Sequence, residues 1–294
     1  MTKLQDAHKQ FIDHLKSKTR ASATILAYGK DIEQLVQFLA DLKKAQVAEI
    51  TADDIQAFLA KLQKDGYTLK SVSRKLNSTK TFFRFLKVQE YITDDPATLV
   101  AHPKFETKPP RILTPLEYRA LRDVTRGDLR TYAIVEVLLQ TGIRISELAN
   151  LRVEDVVFGT NGTEGYLHIR AQEGRGERQV PQNKAVEAAI KYYLEVRGDT
   201  GKDTKKHLFI TKTGRPLLVR NIRSVIDRYF KKAGIVGAKV NDLRHTWVAH
   251  HLQKGVSVVL VSKLAGHKRL STTERYLALL KERSKEEKVK LEEL

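Results

Sequence analysis

Four short stretches carry the residues that could do chemistry. "TGIRISELANL" (141–151) places Arg144 just after a Thr-Gly turn and between Ile143 and Ile145, so a backbone that turns inward takes a charge with it. "NDLRHTWVAHHL" (241–252) puts Arg244 and His245 in the opening turn of an apolar helix. "EGRGERQVP" (173–181) adds Arg175 and Arg178 on a hairpin. "LAGHKRLSTTERYLALL" (264–280) runs from His267 through a basic loop and a Ser-Thr-Thr helix start to Tyr276, one turn into a helix. Read alone, that tyrosine is a packing residue, and His245 reads as a structural helix residue. Together the set suits one reaction. Arginine forks match the non-bridging oxygens of a phosphate. Fixed positive charge stabilises a phosphodiester as its transition state gains negative charge. A tyrosine hydroxyl is a competent nucleophile that leaves a covalent phosphotyrosine. No carboxylate set resembles a two-metal nuclease, so no metal and no other cofactor is expected.

The elements that must hold these residues fall in two groups. In the first hundred residues, helical spacing of apolar positions predicts helices over 22–44, 51–66 and 69–89. The third carries Val72, Leu76, Phe83 and Leu86 on one face and Lys70, Arg74, Asn77, Thr81 and Arg84 on the other. A basic and hydroxylated stripe of that kind fits a phosphate backbone, as it also fits plain solvent. Four of the chain's seven prolines, Pro96, Pro103, Pro109 and Pro110, then interrupt the pattern. The expected organisation is a helical domain over 1–102, a Pro-rich linker over 103–113 and a second domain over 114–294, opened by a Thr114-Pro115 helix start. The second domain mixes helices over 130–142, 220–234, 242–255, 257–267 and 271–294 with short strands in 153–183, where Leu167, Ile169 and Ala171 are expected to face the core.

Composition bounds the partners. The 294 residues suffice for two domains, and 41% hydrophobic content supports a buried core. There is no cysteine, which excludes disulfides and thiolate metal sites. No apolar run is long enough to span a bilayer, and the first residues, "MTKLQDAHKQ", lack a secretory signal, so the expectation is a cytoplasmic, nucleoid-associated protein with no membrane partner. With 53 Lys and Arg against 35 Asp and Glu, the net charge is +18, which favours a polyanionic partner over mere solubility.

Over essentially its whole length the chain resembles the tyrosine recombinases of the phage-integrase, Xer and transposon-resolvase superfamily. "TGIRISELANL" matches the first arginine motif, "DLRHT" the second, and "LAGHKRLSTTERY" the third, with Tyr276 nine positions after His267. The resemblance implies a mainly α fold with a small antiparallel β-sheet, in which a SAM-like N-terminal domain and an α+β catalytic domain form a DNA clamp. It implies Tyr276 as nucleophile, Arg144 and Arg244 as the phosphate clamp, His267 as a phosphate ligand and Glu147 as support. Lys70, Arg74, Asn77, Thr81, Arg84 and Arg178 are then the expected DNA contacts. The expected partner is double-stranded DNA with inverted-repeat core sites, bound by a homotetramer through exchange of the C-terminal helix.

Two positions depart from the family pattern. The family carries a hairpin lysine as general acid for the leaving 5′ oxygen. Here "GRG" puts Arg175 there, with Glu173 as the competing match. Arginine is a poor proton donor, since its pKa stays above about 12. Three residues before Arg244 the family has histidine, and this chain has Asn241, which donates a hydrogen bond but shuttles no proton. Three readings stay open: site-specific recombination, nicking and closing in the manner of a type IB topoisomerase, and a DNA-binding relative with impaired catalysis. Without an additional arm-binding domain, dimer or cointegrate resolution is favoured over integration or excision of an element.

Overall fold

Capping residues write the helix ends. Thr51 accepts from the Asp54 backbone N–H while the Asp54 carboxylate returns to Thr51, and this capping box opens α3 (Ala52–Lys64). Thr114 and Glu117 do the same for α5 (Pro115–Thr125), with Pro115 at its first position. The computed structural model describes residues 2–18, 22–106, 108–160, 163–172, 174–198 and 206–292, with side chains described as far as Lys281. Contacts divide the chain into two compact units, Met1–Thr107 and Lys108–Leu294, and the division falls inside the Pro-rich stretch.

The first unit packs α1 (Leu4–Ser17), α2 (Ser22–Asp41), α3 and α4 (Leu69–Val88) around Phe11, Leu35, Phe58, Leu76 and Phe83. Helix α4 buries Val72, Leu76, Phe83 and Leu86 as expected, and also Phe82, Phe85, Lys75, Ser78 and Thr79. Its buried face is wider because Phe82 and Phe85 pack on Phe11 and Asp31 of α2 draws Lys75 and Ser78 inward. Lys75 Nζ donates to Asp31 at 2.9 Å and Ser78 Oγ at 2.7 Å. Burial alone would raise the Asp31 carboxyl, but bonds from Arg74, Ser78 and Lys75 hold it below its ordinary value. Arg74 is therefore not a free member of the expected stripe: its guanidinium forks onto Asp31 while the side chain stays half exposed. Lys70, Asn77 and Arg84 are exposed, and the half-buried Thr81 donates to the Asn77 carbonyl at 2.8 Å.

The second unit is mainly helical with a three-stranded antiparallel sheet in the order β1 (Val156–Val157), β2 (Tyr166–Ile169), β3 (Arg178–Pro181). Leu167 pairs with both Val156 and Val180, and these side chains enter the core with Ile169. Ala171 does not face the core. It lies past the end of β2 and is exposed, because the chain leaves the sheet for a tight turn closed by the Gln172–Arg175 backbone pair, with Gly174 at φ +71°. Around the sheet pack α6 (Leu129–Thr141), α7 (Ile145–Asn150), α8 (Lys184–Val196) and α9 (Val219–Lys232). Then follow α10 (Val240–Gln253), α11 (Val258–Ala265) and α12 (Ser271–Glu292). Helices α1, α7 and α8 were not separately legible in the apolar pattern. No described helix is long and apolar enough to cross a membrane.

Candidate active site

The site is assembled at three helix ends. Helix α6 stops at Gly142, whose φ of +62° only glycine adopts readily. A Cβ there would lie 2.3 Å from the Trp247 ring, so the turn is pressed against α10. The Gly142 carbonyl accepts from Arg244 Nη1, which ties the second arginine to the turn that presents the first. Two residues on, Arg144 starts α7, and Glu147 reaches back to its backbone N–H at 2.8 Å. The Glu147 carboxylate also accepts from Arg144 Nη1 at 3.1 Å and from Arg178 Nη1 and Nη2 at 3.0 and 2.8 Å.

The third end is the C-terminus of α11, where carbonyls lack helical partners and carry partial negative charge. Leu264 O accepts from Arg178 Nε at 2.7 Å. Ala265 O accepts from both Arg144 Nη1 at 3.1 Å and Arg244 Nη2 at 2.7 Å, so the two guanidiniums sit side by side. Gly266 O accepts from Arg144 Nη2. Gly266 has φ +66°, and a Cβ on it would lie 2.8 Å from Arg178 Cζ. Arg144 thus has an in-chain partner in Glu147, but it shares that carboxylate with Arg178, and with Arg244 close by positive charge is in surplus.

Electrostatics follow from this crowding. Burial, then the charge of Arg144, pushes Arg244 down to about 9, so it is still protonated at neutral pH. Burial also lowers Arg144, assisted by Arg175 and Arg178 and opposed by Glu147. Burial would raise Glu147, yet bonds from Arg178 and the Arg144 backbone, with both guanidinium charges, hold it low. His267 is brought down to about 4 by burial and by Arg244 and Arg144, and its Nδ1 lies 2.7 Å from Thr273 Oγ1. Tyr276 is 5% exposed, burial raises its hydroxyl pKa, and its Oη lies 2.6 Å from His245 Nδ1.

Arg144, Arg244, Glu147, His267 and Tyr276 are therefore brought together. Arg175 is half buried in the hairpin turn, close enough for its charge to act on Arg144, and its Nε is buried with no hydrogen-bond partner. Glu173 lies outside the described residues. Asn241 is exposed in the first turn of α10. Arg178, expected to contact DNA, is turned inward onto Glu147 with its side chain 9% exposed. Two residues escaped sequence reasoning. Thr273 reads as part of a helix cap but is fully buried against His267. His245 left a usable signal: a polar side chain beside Arg244 in an apolar helix needs a partner.

Chemically, the arrangement offers an anion two adjacent arginines, a neutral histidine and a phenol hydroxyl in one place. Residues 111–283 match the model of the phage integrase family, and residues 8–90 match that of the phage integrase N-terminal SAM-like domain. A tyrosine recombinase XerC of Oceanobacillus iheyensis is 31% identical over 94% of this chain and 92% of its own. Another, from Listeria innocua, is 32% identical over 97% of both. Among solved structures, a lambda integrase dimer bound to a COC′ core site superposes with a TM-score of 0.74 at 19% identity, over 92% of this chain and 97% of that one. XerA recombinase is similar at 26% identity, with a TM-score of 0.53 over 97% of this chain and 98% of its own.

Proposed function

The chain belongs to the phage integrase family of tyrosine recombinases and is a site-specific DNA recombinase, and we propose that Tyr276 is its nucleophile. Arg144 and Arg244 clamp the scissile phosphate, His267 donates to it, and Glu147 and Arg178 hold the clamp in place. The observation that carries this reading is the shared Ala265 carbonyl, which sets the two guanidiniums side by side in the unit that also holds the buried Tyr276 hydroxyl. Attack by Oη leaves a 3′-phosphotyrosine, whose bond energy lets the strands rejoin without ATP. Arg175 sits at the leaving 5′ oxygen and stabilises it by charge alone, and Asn241 donates a hydrogen bond to a phosphate oxygen. Lys70, Asn77, Thr81 and Arg84, with the outer edge of Arg74, follow the DNA backbone. The working form is a homotetramer on two inverted-repeat core sites, and the task is resolution of dimers or cointegrates, in a cytoplasmic, nucleoid-associated setting.

The test needs a site, which selection of bound duplexes from a random library supplies. On a nicked suicide version of that site, the wild-type protein forms a covalent adduct. Tyr276→Phe binds the same DNA and forms none, because only the hydroxyl is lost. A normal adduct yield from Tyr276→Phe removes Tyr276 from the role.

A further inference from the structure

We propose that His245 is the base that takes the proton from the Tyr276 hydroxyl as it attacks, and the acid that returns it on resealing. The proposal rests on Tyr276 being the nucleophile. Oη and Nδ1 are 2.6 Å apart, and the rings are tilted at 42° with centroids 5.8 Å apart, within reach for transfer of the hydroxyl proton to the imidazole nitrogen. The Tyr276 hydroxyl is buried, so bulk water is poorly placed to take that proton.

Other groups are less suited. Asn241 occupies the start of the same helix but accepts no proton. His267 is bonded to Thr273, and burial, with the charges of Arg244 and Arg144, makes it a weak proton acceptor. Around His245, Asp242 on α10 favours the imidazolium, while Arg244 on the same helix disfavours it. Tyr276 faces it from α12, and His267 interacts with it from the preceding loop. Burial keeps the ring neutral at neutral pH, ready to accept. In cleavage the Tyr276 O–H bond breaks with its proton passing to Nδ1, and the Oη–P bond forms. The P–O5′ bond breaks, and the 5′ oxygen leaves with the bonding pair and takes a proton from water. In resealing the 5′ hydroxyl gives its proton to water as its oxygen attacks phosphorus, the O5′–P bond forms, the P–Oη bond breaks with its pair going to Oη, and the imidazolium gives its proton back to Oη.

Single-turnover cleavage of the suicide substrate across pH tests this. His245→Asn keeps an acceptor oxygen near the place of Nδ1 but takes no proton. We expect it to cleave roughly 10²–10⁴-fold more slowly, the usual size of a lost general base. It should also lose the acid limb of the wild-type pH profile. His245→Ala should be equally slow and be accelerated by added imidazole, with no such rescue of His245→Asn. In the wild-type protein, ring ¹⁵N shifts at neutral pH should show Nδ1 unprotonated. Cleavage by His245→Asn at the wild-type rate with an unchanged acid limb, or a protonated Nδ1 in the resting protein, overturns the proposal. An adduct mapped to a residue other than Tyr276 overturns the nucleophile reading itself.

Discussion

At the scale of single residues, His267 is under opposing pressures. Its proposed role is to donate to a phosphate, while burial and two neighbouring guanidiniums hold it near 4, against about 6.5 for a free imidazole. Between those values the unfolded chain binds a proton that the folded one refuses. Stability therefore falls as pH drops from about 6.5 towards about 4, and this group adds no further loss below that. His267→Gln should flatten that part of the profile in urea denaturation at pH 7 and pH 5; an unchanged slope would place the acid sensitivity elsewhere. Arg175 poses a different problem. Its buried Nε beside Arg144 has no hydrogen-bond partner, which is costly for a buried donor. If it steadies the leaving 5′ oxygen without protonating it, Arg175→Ala slows cleavage of an ordinary phosphodiester by about 10²-fold. A 5′-bridging phosphorothiolate, whose thiolate leaves unprotonated, should restore the rate. Equal defects on both substrates would reduce Arg175 to a binding or folding role.

At the scale of elements, the α11 C-terminus organises the site. Three guanidiniums dock on its last carbonyls, and Gly266 makes room for them. Gly266→Ala forces a side chain into a left-handed backbone and sets its Cβ 2.8 Å from Arg178 Cζ and 3.1 Å from Arg144 Nη1. We expect a loss of about 1–3 kcal/mol in stability, as for a strained backbone position. Cleavage should fall about 10²-fold or more even below the melting transition, since both arginines are displaced. Wild-type cleavage by a folded Gly266→Ala protein would show that the carbonyl docking is dispensable. The same element explains what could be read in advance. Arg144 stood out from its turn glycine, whereas the roles of Glu147, His267 and Tyr276 were legible only through the resemblance of their motifs to the tyrosine recombinases. The helices 22–44, 51–66 and 69–89 were legible from their apolar spacing. What stayed hidden was pairing across the chain. Arg178 meets Glu147 from 31 residues away and Leu264 from 86, and nothing local to "GERQVP" turns it inward. Helix α8 was hidden because the strand and turn signals before it dominated that stretch, although Asn183 caps it and Val186, Ala189, Ile190 and Tyr193 are buried.

At the scale of the whole molecule, the C-terminal helix bears on the proposed assembly of protomers on DNA. The net charge of +18 favours DNA as partner but makes copies of the chain repel each other, so the proposed tetramer would need specific contacts once DNA neutralises the charge. The C-terminal helix divides in two. Its first turns belong to their own domain: Tyr276, Leu277 and Leu280 pack with Trp247, Val248 and Val261. Leu277 and Leu280 are thus committed at home and are not available to a neighbour. Beyond them the backbone stays helical to Glu292, and the sequence "KERSKEEKVKLEEL" offers Val289, Leu291 and Leu294 among alternating charges. By its sequence such a stretch, few apolar residues among many charges, fits the proposed docking into a shallow groove on a second copy. Deleting 283–294 removes this stretch and leaves every proposed site residue and the home-packed leucines intact. Binding of one protomer to a half-site should be unchanged, and the nicked suicide site should still yield a Tyr276 adduct. Filling of the second half-site should lose its cooperativity, and recombination between two full sites should fall by about 10-fold or more, the effect of some 1.4 kcal/mol of lost coupling. Gel-shift titrations of half and full sites beside a two-site recombination assay separate these effects; intact cooperativity with full recombination would mean that protomers meet through another surface.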